Sequence, residues 1–399
     1  MFLDPAEMLK KQSKAEMQDE LFSLIEQCSS YAEKLDMLRK FKNTDEVRIG
    51  YIDILGYVSP GEASRSLSNL ADVSLVCALK IAGDEVCRVY GRPVCRTDGK
   101  VSDAGFCIVG MGKLGGEEIT YGSDLDIVFL YSGDGETDGK QSISNHEFFT
   151  HLSSKTMSAL TSMTREGSVF KVDVRLRPSG SKGPLSQSIT AFRGYIEEHA
   201  DIWELQSLTR ARVAAGDESL GREVIDCIHS VLYRDNRSPD DLVPAIRNMR
   251  KRMEAEVSRE NNEYYDIKAG EGGIVDIEFI VQYLQLLHGV KYPSIRVTNT
   301  LTALESLYRE NLLAKDQYSI LKKSYIYLRT LESRLRVVQN QASHLLSKSH
   351  DRLTSLAMRM GYKDSKRVSG AVRLIKEYES LRKRVRDVFN LIFNIFPPP

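Results

Sequence analysis

The stretch Gly110-Met-Gly-Lys-Leu-Gly-Gly116, then Gly122-Ser-Asp-Leu-Asp126 and Ile-Val-Phe-Leu-Tyr131, restricts this chain more than any other part of it. The run 127–131 is apolar and rich in β-branched and aromatic residues, which predicts a buried strand over 124–131. Side chains two apart on a strand share a face, so Asp124 and Asp126 point the same way at its start. Two like charges so close raise each other's pKa unless a cation lies between them. A hard divalent ion such as Mg2+ takes oxygen ligands and is commonly held by one or two carboxylates plus substrate phosphates. The glycine-rich stretch upstream can supply phosphate-facing backbone.

A third carboxylate stands further on. In Val169-Phe-Lys-Val-Asp-Val-Arg-Leu-Arg-Pro178, the residues Phe170, Val172, Val174 and Leu176 alternate with Lys171, Asp173, Arg175 and Arg177. This predicts a strand over 168–177 with one buried and one charged face. Paired beside the 124–131 strand, it lets Asp173 complete a three-carboxylate, two-metal cluster of the kind that clamps an in-line displacement at phosphorus. Arg175 and Arg177 then lie near a triphosphate, whose oxygens suit a guanidinium fork. An isolated Asp-x-Asp also occurs at turns and solvated strand ends, and the charged face alone could be a salt-bridged surface. Co-occurrence of the glycines, the paired acids and the third acid with its arginines favours the metal reading. Two other motifs fail. Gly110-x-Gly112-x-x-Gly115 follows a strand expected over 105–110, but the short link to the next strand leaves no room for the helix a dinucleotide site needs. Gly112-Lys113 precedes Leu114, and Cys107 stands where a P-loop requires glycine.

Fold class follows from the same pattern: α+β, a small mixed sheet with helices, flanked by an all-α N-terminal region and a C-terminal helical bundle. At 399 residues the chain exceeds a usual single core. We expect domains at 1–92, 93–217 and 218–399. Ser59-Pro60 starts a long helix, with Leu67, Leu70, Val73, Leu75, Val76, Leu79 and Ile81 on its apolar face, ending near Gly91. The middle region should hold a polar loop over 132–144 and a helix over 145–165 burying Phe148, Phe149, Leu152, Met157, Leu160 and Met163. Trp203 to Arg212 reads as one helix, with Arg210 on the face of Trp203 and Gln206. Beyond residue 218 the chain reads as helical. A loop over 265–273 leads into a helix over 274–287, whose first turn carries Asp276 and Glu278, acids that offset the helix dipole. Segments 315–346 and 365–396 have the three-and-four spacing of bundle helices.

Lys+Arg and Asp+Glu both number 55, so the net charge is zero and general nucleic-acid binding is disfavoured. Six scattered cysteines read as small buried hydrophobes in a reducing cytoplasm. The first residues lack a signal peptide's basic and apolar segments, and no apolar run reaches membrane-span length.

Four stretches, GMGKLGGEEITYGSDLDIVFLY (110–131), KVDVRLRPSGSKGPLSQS (171–188), WELQSLTRARVAAGD (203–217) and KAGEGGIVDIEF (268–279), together resemble the glutamine synthetase adenylyltransferase/adenylyl-removing family. That family lies within the DNA polymerase beta nucleotidyltransferase superfamily. Its enzymes usually carry two homologous halves, one attaching AMP to glutamine synthetase and one removing it; this chain shows one such unit. Arg-Pro-Ser-Gly at 177–180, Trp-Glu-Leu-Gln at 203–206 and Gly-Gly-Ile-Val-Asp-Ile-Glu at 272–278 resemble the attaching half. The resemblance implies Mg2+-dependent transfer of AMP from ATP to a tyrosine hydroxyl of glutamine synthetase, with release of pyrophosphate. It implies Asp124, Asp126 and Asp173 as metal-holding catalytic residues, with Asp173 helping to deprotonate the tyrosine. Ser123, Gly115 and Gly116 would position the β- and γ-phosphates, and Arg175, Arg177 and Arg210 would contact nucleotide. Lys268 and Glu271 would stand beside the site. Glutamine synthetase would be the protein substrate and a PII signal protein a further partner. Phosphorolytic removal of AMP and a non-catalytic ATP- or signal-protein-binding module are the competing readings.

Overall fold

Short serine-led signals start the long helices. In the computed structural model, which describes residues 8–97, 100–235, 237–339, 343–365 and 367–394, α1 (Lys14–Glu26), α2 (Tyr31–Ile54) and α3 (Pro60–Tyr90) begin on Ser13, Ser30 and Ser59. Each serine accepts the backbone N–H of a glutamate three residues on, and that glutamate caps the serine's own N–H in return. Ser144 and Glu147 start α5 (Asn145–Thr161) in the same way. In α3 the expected face holds: Leu67, Leu70, Val73, Leu75 and Ile81 are buried, while Val76 and Leu79 are half-buried.

The chain divides into two compact units. The first holds the chain up to Ile119 and Ser123–Val231; the second holds Thr120–Gly122 and the chain from Leu232. In the first unit, β1 (Pro93–Thr97), β2 (Lys100–Asp103) and, further on, β5 (Gly135–Thr137) form a small antiparallel sheet in the order β2-β1-β5. The main sheet is mixed. Its path runs β6 (Val172–Asp173), β4 (Leu125–Tyr131), β3 (Phe106–Gly110), β8 (Arg212–Gly216), and β7 (Ser186–Ser188) also pairs with β4. β3 and β4 are antiparallel, from Phe106 opposite Tyr131 to Gly110 opposite Ile127. β6 and β7 both run parallel to β4, β6 along its start and β7 along its end. Leu125, Ile127, Phe129 and Leu130 of β4 have no exposed surface, so both faces of this strand are covered. Helix α3 packs against α2, α5 (Asn145–Thr161) and β8, and α5 also lies on β6 and β7. Cys77 and Cys107 are buried free thiols, and burial pushes both up to about 12.

Four expectations need correction in this unit. The strand over 168–177 shrinks to Val172–Asp173, because only these residues ladder with β4; Val174 and Leu176 are half-buried. The helix over 145–165 stops at Thr161, where Ser162 turns extended, and Met163 is 76% exposed. The polar loop over 132–144 contains β5, whose Thr137 is buried against β1. Residues 203–212 are not one helix: α7 (Ile202–Leu208) ends, the chain turns, and β8 starts at Arg212.

The second unit is a helical bundle around α10 (Ile274–His288). This helix packs on α9 (Pro239–Arg252), α11 (Thr300–Arg309), α12 (Lys315–Gln339) and α14 (Gly370–Ile392), with α13 (His350–Arg359) lying on α14. Along α10, Ile274, Val275, Ile277, Ile280, Val281 and Leu286 are buried, as a central helix requires. The unit is not wholly helical: β9 (Tyr264–Asp266) and β10 (Leu345–Ser347) form an antiparallel pair, so the run expected over 315–346 ends as helix at Gln339. No helix among the described residues is long and apolar enough to cross a membrane.

Candidate active site

Backbone register puts two of the three acids side by side. Asp126 is the Cα partner of Asp173 where β6 runs parallel to β4. Asp124, exposed, stands two residues before Asp126 and so on the same face of that chain segment. Asp126 and Asp173 are both half-buried. The start of β4 is fixed from both sides: Leu125 N–H donates to the Lys171 carbonyl (2.9 Å), and Met111 N–H donates to the Asp126 carbonyl (2.8 Å).

One cation sits among the carboxylates. Arg175 donates from Nε to both Asp173 oxygens (3.0 and 2.9 Å) and from Nη2 to Oδ2 (2.5 Å), and its backbone N–H reaches Oδ1 (2.8 Å). The Arg175 guanidinium is held charged first by Asp173, with smaller attractions from Asp126 and then Asp124. In return the Arg175 side-chain bonds hold the Asp173 carboxyl below its usual range. Arg175 is thus bonded to Asp173 and also feels the negative charge of Asp126 and Asp124. As the side chains stand, no three acid, histidine or cysteine groups among the described residues are placed to ligate one ion. Asp126 and Asp173 are in register and offer hard oxygen donors of the kind a divalent cation such as Mg2+ takes, and Arg175 occupies Asp173.

The glycine-rich segment wraps this strand. After β3 the chain makes one helical turn, α4 (Gly112–Gly115), where no helix was expected. Gly112 has φ +51°, and a methyl group there would come within 2.6 Å of Asp126 Oδ2, so a glycine lets the backbone lie against the carboxylate. Gly115 and Gly116 are buried and face Arg210: a side chain at 115 would enter the Arg210 carbonyl, and one at 116 would enter its guanidinium. Gly115→Ala should cost about 1–3 kcal/mol or more, because backbone rather than a flexible side chain must yield. Urea unfolding followed by the fluorescence of Trp203, the chain's only tryptophan, measures this.

The remaining candidates have structural partners. Arg210 is buried in the turn before β8 and pairs with buried Glu118. Arg177 donates to the carbonyls of Val174 (2.8 Å), Pro184 (3.0 Å) and Gly183 (3.2 Å), bracing the loop after β6. Ser123 is buried at the start of the carboxylate segment. Trp203 is 36% exposed, with Nε1 3.4 Å from Asp201. In the second unit, Lys268 N–H donates to Asp266 (3.0 Å), and Glu271 Oε1 lies 3.8 Å from Arg386. Asp276, fully buried, accepts Arg250 Nε (2.5 Å) and Gly272 N–H (2.8 Å), so it anchors the glycine loop in addition to starting α10.

Sequence reasoning passed over Asp72. This buried α3 acid receives both Arg212 Nη atoms (2.8 and 2.9 Å) and Lys14 Nζ (2.7 Å). Arg212 also donates to the Leu114 carbonyl (2.9 Å), tying α3 through β8 to the glycine turn. Asp72 lies in an otherwise apolar helical stretch, and an acid on a core-facing stripe is a readable sign of a buried partner.

A mixed sheet with acids at the head of its central strand, a glycine turn against one of them and a third acid in register defines a nucleotidyltransferase-type α+β domain. The match to known families is specific: the model described as glutamate-ammonia ligase adenylyltransferase covers residues 1–226, and that described as GlnD PII-uridylyltransferase covers residues 247–393. The chain belongs to the glutamate-ammonia ligase adenylyltransferase family. It is similar to proteins named bifunctional glutamine synthetase adenylyltransferase/adenylyl-removing enzyme. The one from Pseudomonas aeruginosa is 34% identical over 350 residues, covering 87% of this chain and 35% of the relative. That from Thioalkalivibrio sulfidiphilus is 31% identical over 379 residues, covering 95% and 38%. That from Methylococcus capsulatus is 34% identical over 364 residues, covering 91% and 37%. The chain thus spans little more than a third of the length of these curated relatives.

Proposed function

We propose that this chain transfers AMP from ATP to a tyrosine hydroxyl of glutamine synthetase in the cytoplasm. The observation that carries the reading is the register of Asp126 with Asp173, with Asp124 beside them and the glycine turn against Asp126. The phenolic oxygen attacks the α-phosphorus, the bond from that phosphorus to the bridging oxygen breaks, and pyrophosphate leaves. Asp124, Asp126 and Asp173 would hold Mg2+, which when bound would neutralise triphosphate charge and ease loss of the phenolic proton. Asp173 receives that proton on a carboxylate oxygen. A phenol near pKa 10 gives it up slowly at neutral pH, and the Arg175 fork makes Asp173 a weaker base, so Arg175 must swing off it. Once released, Arg175 is free to pair with phosphate oxygens. Ser123 and the backbone at Gly115 and Gly116 fix the phosphate end, while Arg177 and Arg210 act on nucleotide through the loops they brace.

The relatives' names carry both attachment and removal of AMP, so phosphorolytic removal is the second reading. The match of residues 247–393 to a PII-uridylyltransferase model supports a PII-type signal protein as partner of the bundle. Transfer of label from α-labelled ATP to purified glutamine synthetase tests the first reading. Label on the synthetase supports it; no label, with phosphate-driven release of AMP from modified synthetase, would replace it by the second.

A further inference from the structure

The segment Thr120-Tyr121-Gly122 belongs to the second unit, yet the next residues, Ser123 and Asp124, open the carboxylate strand. Within the second unit one side chain grips it. Arg336 of α12, 4% exposed, donates from Nη1 to Thr120 Oγ1 (3.2 Å), with a longer approach to the Tyr121 carbonyl (3.5 Å). Thr120 and Tyr121 are themselves buried. The guanidinium is held in place by Glu332, one turn back on the same helix and fully buried (Nη2 to Oε1, 2.9 Å). Arg329 secures the other oxygen of Glu332 (2.6 Å), and Arg336 Nε reaches the Ser343 carbonyl (3.3 Å).

Burying this many charges is costly, and the cost is met only where geometry is fixed. Arginine suits the place because its planar fork bonds in several directions at once, which an ammonium on a flexible stem cannot do. Gly122 has φ +63°, so the chain turns sharply just after the gripped residues. From Tyr121 to Asp124 is three Cα steps, at most about 11 Å, so the two cannot move far apart.

We propose that Arg336 is a positioning residue for the carboxylates: by fixing Thr120 and Tyr121 it sets where Ser123 and Asp124 stand. The consequence rests on the proposed transfer reaction, but the tether itself does not.

The test uses the full chain with Arg336→Met, Arg336→Lys and Thr120→Val. The last leaves the Arg336–Glu332 pair intact, so it stays informative if Arg336→Met fails to fold. Hydrogen exchange of the peptide spanning 120–126 should quicken at least about tenfold in Arg336→Met and less in Thr120→Val, with β3 unchanged. The kcat of AMP transfer should fall about 10²-fold, the scale of an ångström's misplacement, while KM for glutamine synthetase stays constant. Arg336→Lys should recover part of the loss. Unchanged exchange at 120–126 in folded Arg336→Met or in Thr120→Val would overturn the tether. Quickened exchange with unchanged kcat in both variants would overturn the positioning role. If the unaltered chain transfers no AMP but exchange quickens, the tether stands and the transfer reading falls.

Discussion

Asp126→Asn should lower AMP transfer by about 10³-fold while leaving the fold intact, a loss on the scale of removing a preorganised electrostatic partner from phosphoryl chemistry. The side chain keeps its shape, and the hydrogen bond that joins Asp126 to the glycine turn uses the backbone carbonyl, which the change does not touch. The cost in stability should stay in the ordinary range of a point substitution, about 0.5–3 kcal/mol, too little to unfold the domain. What is lost is one of the three negative charges that act on Arg175, together with a hard oxygen donor. Binding of Mn2+, followed by its paramagnetic resonance, should weaken in parallel with the rate. A variant that transfers AMP at near the unaltered rate would remove Asp126 from the mechanism.

The second large effect concerns stability. Asp276→Ala should destabilise the bundle by about 3–5 kcal/mol, the cost of stranding a buried charge. Arg250, with 2% of its side chain exposed, loses its 2.5 Å partner and keeps Glu254 at 3.4 Å; Arg386 loses a 3.3 Å contact to Asp276 and keeps Glu254 at 2.7 Å. Two arginines then share one acid in the interior. The Gly272 N–H also loses its acceptor. Trp203 lies in the first unit and helices lie in both. Far-UV dichroism should therefore show an early transition that tryptophan fluorescence does not. Coincident, unshifted transitions would mean the network contributes little.

Features written locally were legible in the sequence. The Ser59 cap, the apolar 127–131 run and the start of α10 at Ile274 follow from propensity, pattern and glycine placement within a few residues. Alternation predicted a strand at Asp173 but not its neighbour; the pairing beside β4 was only a condition of the metal reading, and alternation overstated the strand's length because just two of its residues ladder. Less readable was anything set by distant partners. Glu118 and Arg210 stand 92 positions apart and Asp72 and Arg212 stand 140 apart; the apolar stripe around Asp72 signals a buried partner, but nothing near either acid says which arginine it is. Residues 203–212 look helical because Leu, Gln, Glu and Arg favour helices; the sheet edge offered by β3 overrides that preference from Arg212 onward. Two short strands were also passed over: β1 and β2 pair antiparallel, Thr97 opposite Lys100.

That Thr120–Gly122 packs with residues more than a hundred positions later has a practical side for anyone dividing this chain. A cut after Val231, clean by linear position, would give a fragment in which the three residues just ahead of the carboxylate segment are deprived of their packing. An inactive fragment of that kind would say little about whether the carboxylates do chemistry.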